Sequence, residues 1–258
     1  MSYQDIKFQI EEGIGLITLN RPEKRNALSL SLMREMIDLL SAVKKNPEVR
    51  IVIVRAEGSV FSSGHDLSEM VEGSAVFYRA IFGACTEMME AIRALPQPVI
   101  AQVQGMATAA GCQLVAACDL VVASQEARFA TPGVRIGLFC HTPQVPLSRA
   151  VGRKKALEML FTGRAVSAEE AERSGLVNKV VPADRLAEET LNLARQIAQA
   201  SPLTLSLGKQ SFYRQIEAEE SRAYDYTKEM MALNAMTEDA REGISAFLAK
   251  RPPHWKGK

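Results

Sequence analysis

The sequence predicts an α/β fold in which helices connect the strands of a parallel sheet. Segments that begin near Leu16, Arg50 and Pro98 each run from an apolar strand through a polar or small-residue loop into a helix. The last third of the chain is mostly helical in pattern. With 47% hydrophobic residues over 258 positions, the chain is able to bury one large domain, alone or with a small appendage.

Charge and hydropathy exclude several classes of function. The formal net charge is +1, and no basic tract gives the electrostatic footprint of a nucleic-acid-binding protein. No apolar run is long enough to span a bilayer, and the first residues lack the apolar core of a signal peptide. We therefore expect no nucleic-acid partner, no membrane partner and a cytoplasmic location.

Cysteine and histidine show no metal-binding pattern. The cysteines lie among apolar or small residues without a Cys-x-x-Cys pair, which favours buried reduced thiols. They are Cys85, Cys112, Cys118 and Cys140. None of the three histidines is spaced from another ligand type as in a metal site. The sequence predicts neither a metal nor a cofactor.

The first elements are a β-hairpin and a helix. Residues alternate in polarity from Ile6 to Ile10 and from Leu16 to Leu19 around a turn with two glycines. After a polar loop, Ser29 has the side chain of an N-cap, and apolar residues then recur at the helical period until Pro47.

The next unit holds the first candidate ligand loop. A buried strand, residues 50–55, leads into residues 57–67, which contain two glycines and three serines. Loops that follow strands are common ligand sites in α/β folds. A long helix follows over residues 74–95 and ends before Pro96.

Residues 98–123 are typical of a strand, a tight turn, a core helix and a second strand. Small side chains around Ala110 leave the first N–H groups of the helix uncovered. These donors and the positive end of the helix dipole suit an oxyanion or a phosphate. The alternative is close packing of the helix on the sheet.

The remaining sequence predicts helices over residues 153–162, 167–174, 184–200 and 202–248, before two prolines and the single tryptophan, Trp255.

Seven motifs, in this order and spacing, resemble the crotonase, or enoyl-CoA hydratase/isomerase, superfamily along nearly the whole chain. They are Asn20–Leu28, Phe61–Leu67, Gly105–Asp119, Phe129–Gly137, Leu160–Gly163, Ala171–Val181 and Ala246–Trp255. The resemblance implies a spiral of ββα units over residues 1–199 and a helical oligomerisation region over residues 200–258. It also implies an acyl-CoA ligand.

The resemblance assigns two backbone donors to the thioester oxygen: the N–H groups of His65 and Ala110. Such donors stabilise an enolate-like oxyanion. Hydratases of the family carry two glutamates where this chain has Gln113 and Gly133. Neither residue is a general base at neutral pH, so the usual hydration mechanism is in doubt. Installing glutamate at both positions is expected to raise hydration if only carboxylates are lacking.

The resemblance also assigns residues around the acyl-CoA. The CoA-binding candidates are Lys24, Arg25, Ala27, Ser63, His65, Asp66, Leu67, Phe247 and Lys250. The candidates for the acyl pocket are Gly133, Leu138, Cys140 and His141. Each charged residue in the first set is equally compatible with a solvated surface position, and Asp66 with a helix cap.

Three hypotheses remain open from the sequence. The first is an enzyme that binds an acyl-CoA thioester and stabilises its enolate, in fatty-acyl metabolism. The second is decarboxylation or isomerisation with His65 or water as proton donor, because His65 occupies the place of a histidine in methylmalonyl-CoA decarboxylase. The third is an acyl-CoA-binding protein without catalysis. A Cys140–His141 nucleophile is a weaker idea, since adjacent side chains diverge.

We predict that the protein forms a trimer, or a hexamer built from trimers. The C-terminal third has more apolar side chains than a thin helical appendage is able to bury by itself, and closed symmetry buries such a surface. Light scattering after size exclusion should give three or six times 28.3 kDa. A monomeric mass at micromolar concentration would contradict this, and Phe247→Ala or Lys250→Ala should weaken CoA binding without dissociating the oligomer.

Overall fold

The structure is a computed structural model that describes residues 3–258. Its strands are β1 (Ile6–Glu11), β2 (Ile14–Leu19), β3 (Ile51–Ala56), β4 (Val60–Ser62), β5 (Val99–Val103), β6 (Met106–Thr108), β7 (Leu120–Ser124), β8 (Arg128–Ala130), β9 (Val166–Ser167) and β10 (Lys179–Val181). Its helices are α1 (Leu30–Lys44), α2 (Ala75–Ala94), α3 (Ala110–Ala117), α4 (Gln144–Val151), α5 (Arg153–Thr162), α6 (Ala168–Arg173), α7 (Leu186–Ala198), α8 (Pro202–Gln215), α9 (Glu220–Ala235) and α10 (Glu238–Leu248).

The strands form two sheets. The larger has the order β1-β2-β3-β5-β7-β10, with β1 antiparallel to β2 and the other neighbours parallel. The smaller has the order β4-β6-β8-β9, and β9 is its antiparallel edge. The predicted α/β class with parallel strands is confirmed.

Successive strands alternate between the two sheets. The pairs β3–β4, β5–β6 and β7–β8 each place one strand in either sheet, and α2, α3 and α4 follow them in turn. This is the ββα spiral implied by the resemblance. Sequence periodicity missed the smaller sheet because β4, β6 and β8 have three residues each, too few to show alternation.

The N-terminal elements follow the predicted pattern. Glu12 (φ 52°) and Gly13 (φ 80°) form the two-residue turn of the hairpin, with positive φ at both positions as such turns require. The hydroxyl of Ser29 accepts a hydrogen bond from the N–H of Leu32 at 3.1 Å, which caps α1 as expected.

Helix α3 lies in the core. Every residue of it except Ala116 is buried, and it packs against α2 and α4. Because the helix is short and apolar, its position depends on what surrounds it more than on intrinsic helical stability. The predicted core helix is confirmed.

The C-terminal segment 202–248 is not one helix but three, α8 to α10, with breaks at residues 216–219 and 236–237. Helix α10 is tied to the chain end, because the carboxylate of Asp239 accepts hydrogen bonds from the hydroxyl of Ser201 (2.5 Å) and the N–H of Lys256 (2.7 Å). The division into residues 1–199 and 200–258 stays a prediction.

A largely buried ion pair, with side chains 6% and 15% exposed, joins α8 to the central sheet. The Nζ of Lys209 lies 2.7 Å from the carboxylate of Asp119 and donates to the carbonyl of Ile92 at 3.0 Å. The same carboxylate accepts from the N–H of Val99 (2.7 Å) and the hydroxyl of Tyr213 (2.8 Å). Asp119 thus has a structural role, since it connects α8 to the sheet.

Replacing Lys209 with methionine should destabilise the fold by about 3 kcal/mol, because the Asp119 carboxylate, only 15% exposed, loses its cation. Lys228→Met is the matched control, since the Lys228–Asp225 pair is exposed (65% and 73%) and should contribute nothing measurable. Urea-induced unfolding followed by circular dichroism checks both. Equal midpoints for the two variants would contradict the role given to Lys209.

Candidate functional site

A cavity of about 500 Å³ lies where two loops face the start of α3. One wall is the segment Ser63 to Leu67, and another is the loop over residues 132–143. Phe82 of α2 and Ala110 at the start of α3 complete it. Most of the lining is apolar, which is typical of a small-molecule site.

The first wall is held by backbone hydrogen bonds to the polar loop that precedes α1. The N–H of Leu28 donates to the carbonyl of Gly64 at 2.7 Å, and the N–H of Asp66 donates to the carbonyl of Leu28 at 3.2 Å. The N–H of Ser63 donates to the carbonyl of Arg25 at 3.0 Å. These bonds flank His65, so its backbone is fixed on both sides.

Gly64 is required where this wall meets α3. Its φ is +91°, a conformation that residues with a Cβ rarely adopt. A Cβ at this position would lie 2.8 Å from the Cβ of Ala109 and 3.2 Å from the nitrogen of Ala110. The two segments are therefore closer than any side chain at position 64 would allow.

The first turn of α3 has an unusual backbone. Ala109 has φ 50° and ψ −119°, well outside the regions that alanine favours, and such strain persists only when neighbours enforce it. Gly111 makes the contact possible, because a Cβ there would lie 2.5 Å from the carbonyl oxygen of Ser62. The small residues noted in the sequence thus have two roles. They allow close packing, and they leave the first N–H groups of α3 uncovered.

Two backbone donors are free beside the cavity. Within residues 3–258, neither the N–H of His65 nor that of Ala110 donates a hydrogen bond to another residue. Both residues line the cavity. Since buried N–H groups are nearly always paired, this pair is suited to a ligand acceptor.

The imidazole of His65 is held in an apolar position. Its ring meets Phe82 edge to face, with centroids 5.3 Å apart, and its Nε2 is buried without a hydrogen-bond partner in residues 3–258. Burial lowers the pKa of His65 to about 4. The imidazole is therefore neutral at pH 7, with one N–H and one acceptor nitrogen.

Gln113 does not line the cavity with these residues. Its side chain is 3% exposed, and its Oε1 accepts a long hydrogen bond from the thiol of Cys85 at 3.8 Å. Gln113 is thus a core amide engaged with α2 in this structure and does not contact the cavity.

Gly133 lines the cavity but leaves no space for a side chain. A Cβ there would lie 2.0 Å from the carbonyl oxygen of Leu138 and 2.9 Å from the Sγ of Cys140. The loop folds tightly on itself, since the N–H of Leu138 donates to the carbonyl of Gly133 at 3.0 Å. A glutamate at position 133 would have to displace this loop, and the expectation that glutamates at 113 and 133 raise hydration stays a prediction.

Cys140 and His141 both line the cavity. Burial raises the pKa of the Cys140 thiol, while a hydrogen bond from the Gly133 backbone acts weakly in the other direction. The imidazole of His141 packs against Phe139 with centroids 5.1 Å apart. A protonated thiol is a poor nucleophile, which argues against the Cys140–His141 nucleophile.

The proposed CoA residues lie in two places. Lys24 and Arg25 are exposed on the loop that pairs with the first cavity wall, Ala27 is buried beside them, and Leu67 lines the cavity. Asp66 caps the turn at residues 67–69: its carboxylate accepts from the N–H of Ser68, and its other oxygen pairs with Arg21 at 3.2 Å.

Phe247 and Lys250 do not line this cavity, and Phe247 is 82% exposed near the chain end. Within one protomer, these two residues therefore lie apart from the residues that line the cavity.

Sequence reasoning missed Phe82 and Arg135, which also line the cavity. Phe82 lies within a long helix whose pattern gave no sign that one turn faces a ligand site. Arg135 had a possible signal, because it is a single charge inside an otherwise apolar loop motif.

A second cavity, of about 350 Å³, lies at the opposite end of α3. Its charged groups pair with one another: Arg93 stacks on Tyr213 at 4.5 Å, and Arg149 contacts Glu217 at 2.9 Å. This pairing gives that cavity no free group comparable to the donors of His65 and Ala110.

The chain is similar to known proteins along most of its length. The profile of the family described as Enoyl-CoA hydratase/isomerase matches residues 9–258. The human protein named enoyl-CoA hydratase domain-containing protein 3, mitochondrial, is 51% identical over 246 residues, which cover 95% of this chain and 81% of that protein. A probable enoyl-CoA hydratase of Mycobacterium tuberculosis is 34% identical and is covered over 99% of both chains.

Solved structures agree with this result. The crystal structure of human enoyl-CoA hydratase domain-containing protein 3 matches with a TM-score of 0.95 at 48% identity, covering 98% of this chain and 100% of that one. An enoyl-CoA hydratase of Mycobacterium smegmatis matches with a TM-score of 0.95 at 46% identity, covering 98% and 99%. The predicted crotonase fold is confirmed.

The expected cytoplasmic location is wrong on these comparisons. The frog, human and mouse relatives, 47–51% identical, are named as mitochondrial proteins, which points to mitochondria instead. The expectation of a cytoplasmic location was based on the lack of an apolar signal-peptide core. That criterion detects secretory signals but not the amphipathic segments that direct proteins to mitochondria. Separately, no helix within residues 3–258 is long and apolar enough to cross a membrane.

Replacing Gly133 with alanine should destabilise the protein by about 1–3 kcal/mol, the usual effect of overpacking, because the new Cβ meets the Leu138 carbonyl. Gly83→Ala in α2 is the control: nothing lies within 4 Å of its Cβ position, so the gain in helix propensity should stabilise by about 0.5–1 kcal/mol. Urea unfolding measures both. Shifts of the same sign would show that the loop is not closed around Gly133.

His65 should make the protein less stable in mild acid. As the pH falls from about 6.5 toward 4, the unfolded chain protonates this imidazole while the native protein keeps it neutral, so the free energy of unfolding decreases. His65→Gln should lack that part of the pH dependence. Urea unfolding at several pH values between 7 and 4 compares the two proteins, and parallel curves would rule out a buried neutral imidazole.

Proposed function

The chain belongs to the enoyl-CoA hydratase/isomerase family, and from this premise we propose that it binds an acyl-CoA thioester and stabilises the enolate of that thioester. The backbone N–H groups of His65 and Ala110 are the proposed donors to the thioester oxygen. The observation that carries the proposal is that both N–H groups are unpaired in residues 3–258 and line one cavity.

Donors fixed in advance act more strongly on a charge that develops during the reaction than on the neutral carbonyl. Three features supply that fixation here. The backbone bonds on either side of His65 hold the first donor, the close approach at Gly64 sets the spacing, and packing holds the strained Ala109 beside the second donor. Each donor is expected to contribute on the order of 3 kcal/mol to the transition state.

Ordinary hydration of an enoyl thioester is not part of this proposal. Positioned acid–base groups typically each contribute 10²–10⁴-fold, and within residues 3–258 no carboxylate lines the cavity. Gln113 is engaged with Cys85, and the space at Gly133 is filled by its own loop. We expect crotonyl-CoA hydration far below that of relatives with two glutamates.

A second candidate reaction is decarboxylation or isomerisation of a CoA thioester, with His65 or water as the proton donor. The observation that favours it is the pair of free backbone donors beside the buried Nε2 of His65. Because burial lowers the pKa of His65 to about 4, the neutral imidazole is a poor acid at pH 7, and water is the better proton donor. In decarboxylation the electrons of the broken C–C bond enter the thioester enolate as CO₂ leaves, so no base is needed. Release of CO₂ from a 2-carboxyacyl-CoA would favour this candidate, and binding without any turnover would favour a non-catalytic acyl-CoA-binding protein.

The proposal extends to assembly into a trimer or hexamer. Apolar side chains on the C-terminal helices remain exposed in one protomer, among them Met231 at 74% and Phe247 at 82%. A neighbouring copy that covers them is the expected use of such a surface.

The central test is whether bound thioesters are polarised. Crotonyl-CoA and butyryl-CoA should bind in calorimetry, and the infrared C=O stretch of a ¹³C-labelled thioester should shift to lower frequency on binding. Ala110→Pro should abolish the shift, because proline is tolerated at the first helical position but lacks the N–H. Asp184→Asn, on a surface turn far along the chain, is the control.

No heat with any acyl-CoA at millimolar concentration would refute the proposed ligand. Binding without a frequency shift would refute the oxyanion site while leaving the ligand in place.

A further inference from the structure

Arg135 lies on the wall of the cavity that faces the proposed oxyanion donors. It belongs to the short helical turn Pro132–Ile136, within the loop that closes over the cavity. Its Nε donates to the carbonyl of Thr162 at 3.3 Å, which directs the side chain. Gly163 leaves room for it, since a Cβ at that position would lie 3.1 Å from the same Nε.

Arg135 is an exposed residue whose guanidinium has a carbonyl partner but no carboxylate partner. In residues 3–258 its guanidinium forms no ion pair, and no aspartate or glutamate lines the cavity. The acids of the following helices, Glu158 and Glu170, are paired with Lys155 and Arg164. Among the described residues, Arg135 is the only lysine or arginine that lines the cavity.

Arg135 lies on a different wall of the cavity from the residues proposed to bind CoA. Lys24 and Arg25 belong to the loop that hydrogen-bonds to the first cavity wall, through the N–H of Ser63 and the carbonyl of Arg25. Arg135 belongs to the other wall, with Leu138 and Phe139. A thioester whose oxygen meets His65 and Ala110 and whose CoA passes Lys24 would direct its acyl chain toward the loop of Arg135.

A fully aliphatic acyl chain has no acceptor for the terminal nitrogens of the guanidinium. A carboxylate at the end of the chain would form a charge-assisted and often bidentate pair with them. The terminal nitrogens of Arg135 are the ones without a partner, and they are the ones that make such pairs. A general acyl pocket needs no charge on this wall.

We propose that Arg135 selects acyl-CoA thioesters whose acyl chain ends in a second carboxylate, far from the thioester. This inference rests on the proposed acyl-CoA function of the same cavity. It assigns Arg135 a role in specificity and not in the chemical step.

The test compares acyl-CoAs of equal carbon number by calorimetry: glutaryl-CoA against valeryl-CoA, and adipyl-CoA against hexanoyl-CoA. The wild type should bind each dicarboxylic member about two- to fivefold more tightly than its partner, because Arg135 is exposed and its pair with a carboxylate stays partly solvated. Arg135→Gln should remove this preference while keeping the affinity for hexanoyl-CoA, which also shows that the variant is folded. Arg135→Lys should keep part of the preference.

Arg222→Gln, at an exposed arginine of α9 outside the cavity, is the matched control and should behave as the wild type. Equal binding of both members of each pair by the wild type overturns the inference while the proposed function stands. An equal loss for all ligands, free CoA included, in Arg135→Gln also overturns it, because Arg135 would then bind a CoA phosphate. Failure of every acyl-CoA to bind the wild type overturns the proposed function as well.

Discussion

The close approach of residues 62–65 to the first turn of α3 is the contact on which the site depends. Gly64 and Gly111 make it possible, because a Cβ at either would collide with the opposite segment. The contact holds Ala109 in a backbone conformation that alanine does not adopt by itself, and it leaves the N–H groups of His65 and Ala110 free on the same side. Strand pairing in the two sheets positions both segments. The placement of the two N–H donors is therefore a direct result of the spiral fold.

Much of the fold was predictable from the sequence because its signals are local. The Ser29 cap, the apolar strand ahead of the first loop and the small residues at the start of α3 each specify their own element, and the family motifs connected them. The second sheet was not predictable from periodicity, since its strands are too short. Its pairing comes from the tertiary path of the chain.

The site was predictable in its backbone and less so in its side chains. Motif positions identified His65 and Ala110, but contacts distant in sequence decide the states of the other candidates. Gln113 is paired with Cys85, 28 residues earlier, and the imidazole of His65 is desolvated beside Phe82. Arg135 could not be assigned without seeing that acids elsewhere in the chain already have partners.

The closed loop at Gly133 also restricts how this chain could change over generations. A glutamate at position 133 would first destabilise the protein, because the Leu138 carbonyl occupies the space of its first side-chain carbon. Substitutions that reopen the loop around Leu138 and Cys140 would have to come first, while they bring no catalytic benefit. The tight turn thus sets the order in which changes at these positions are able to accumulate.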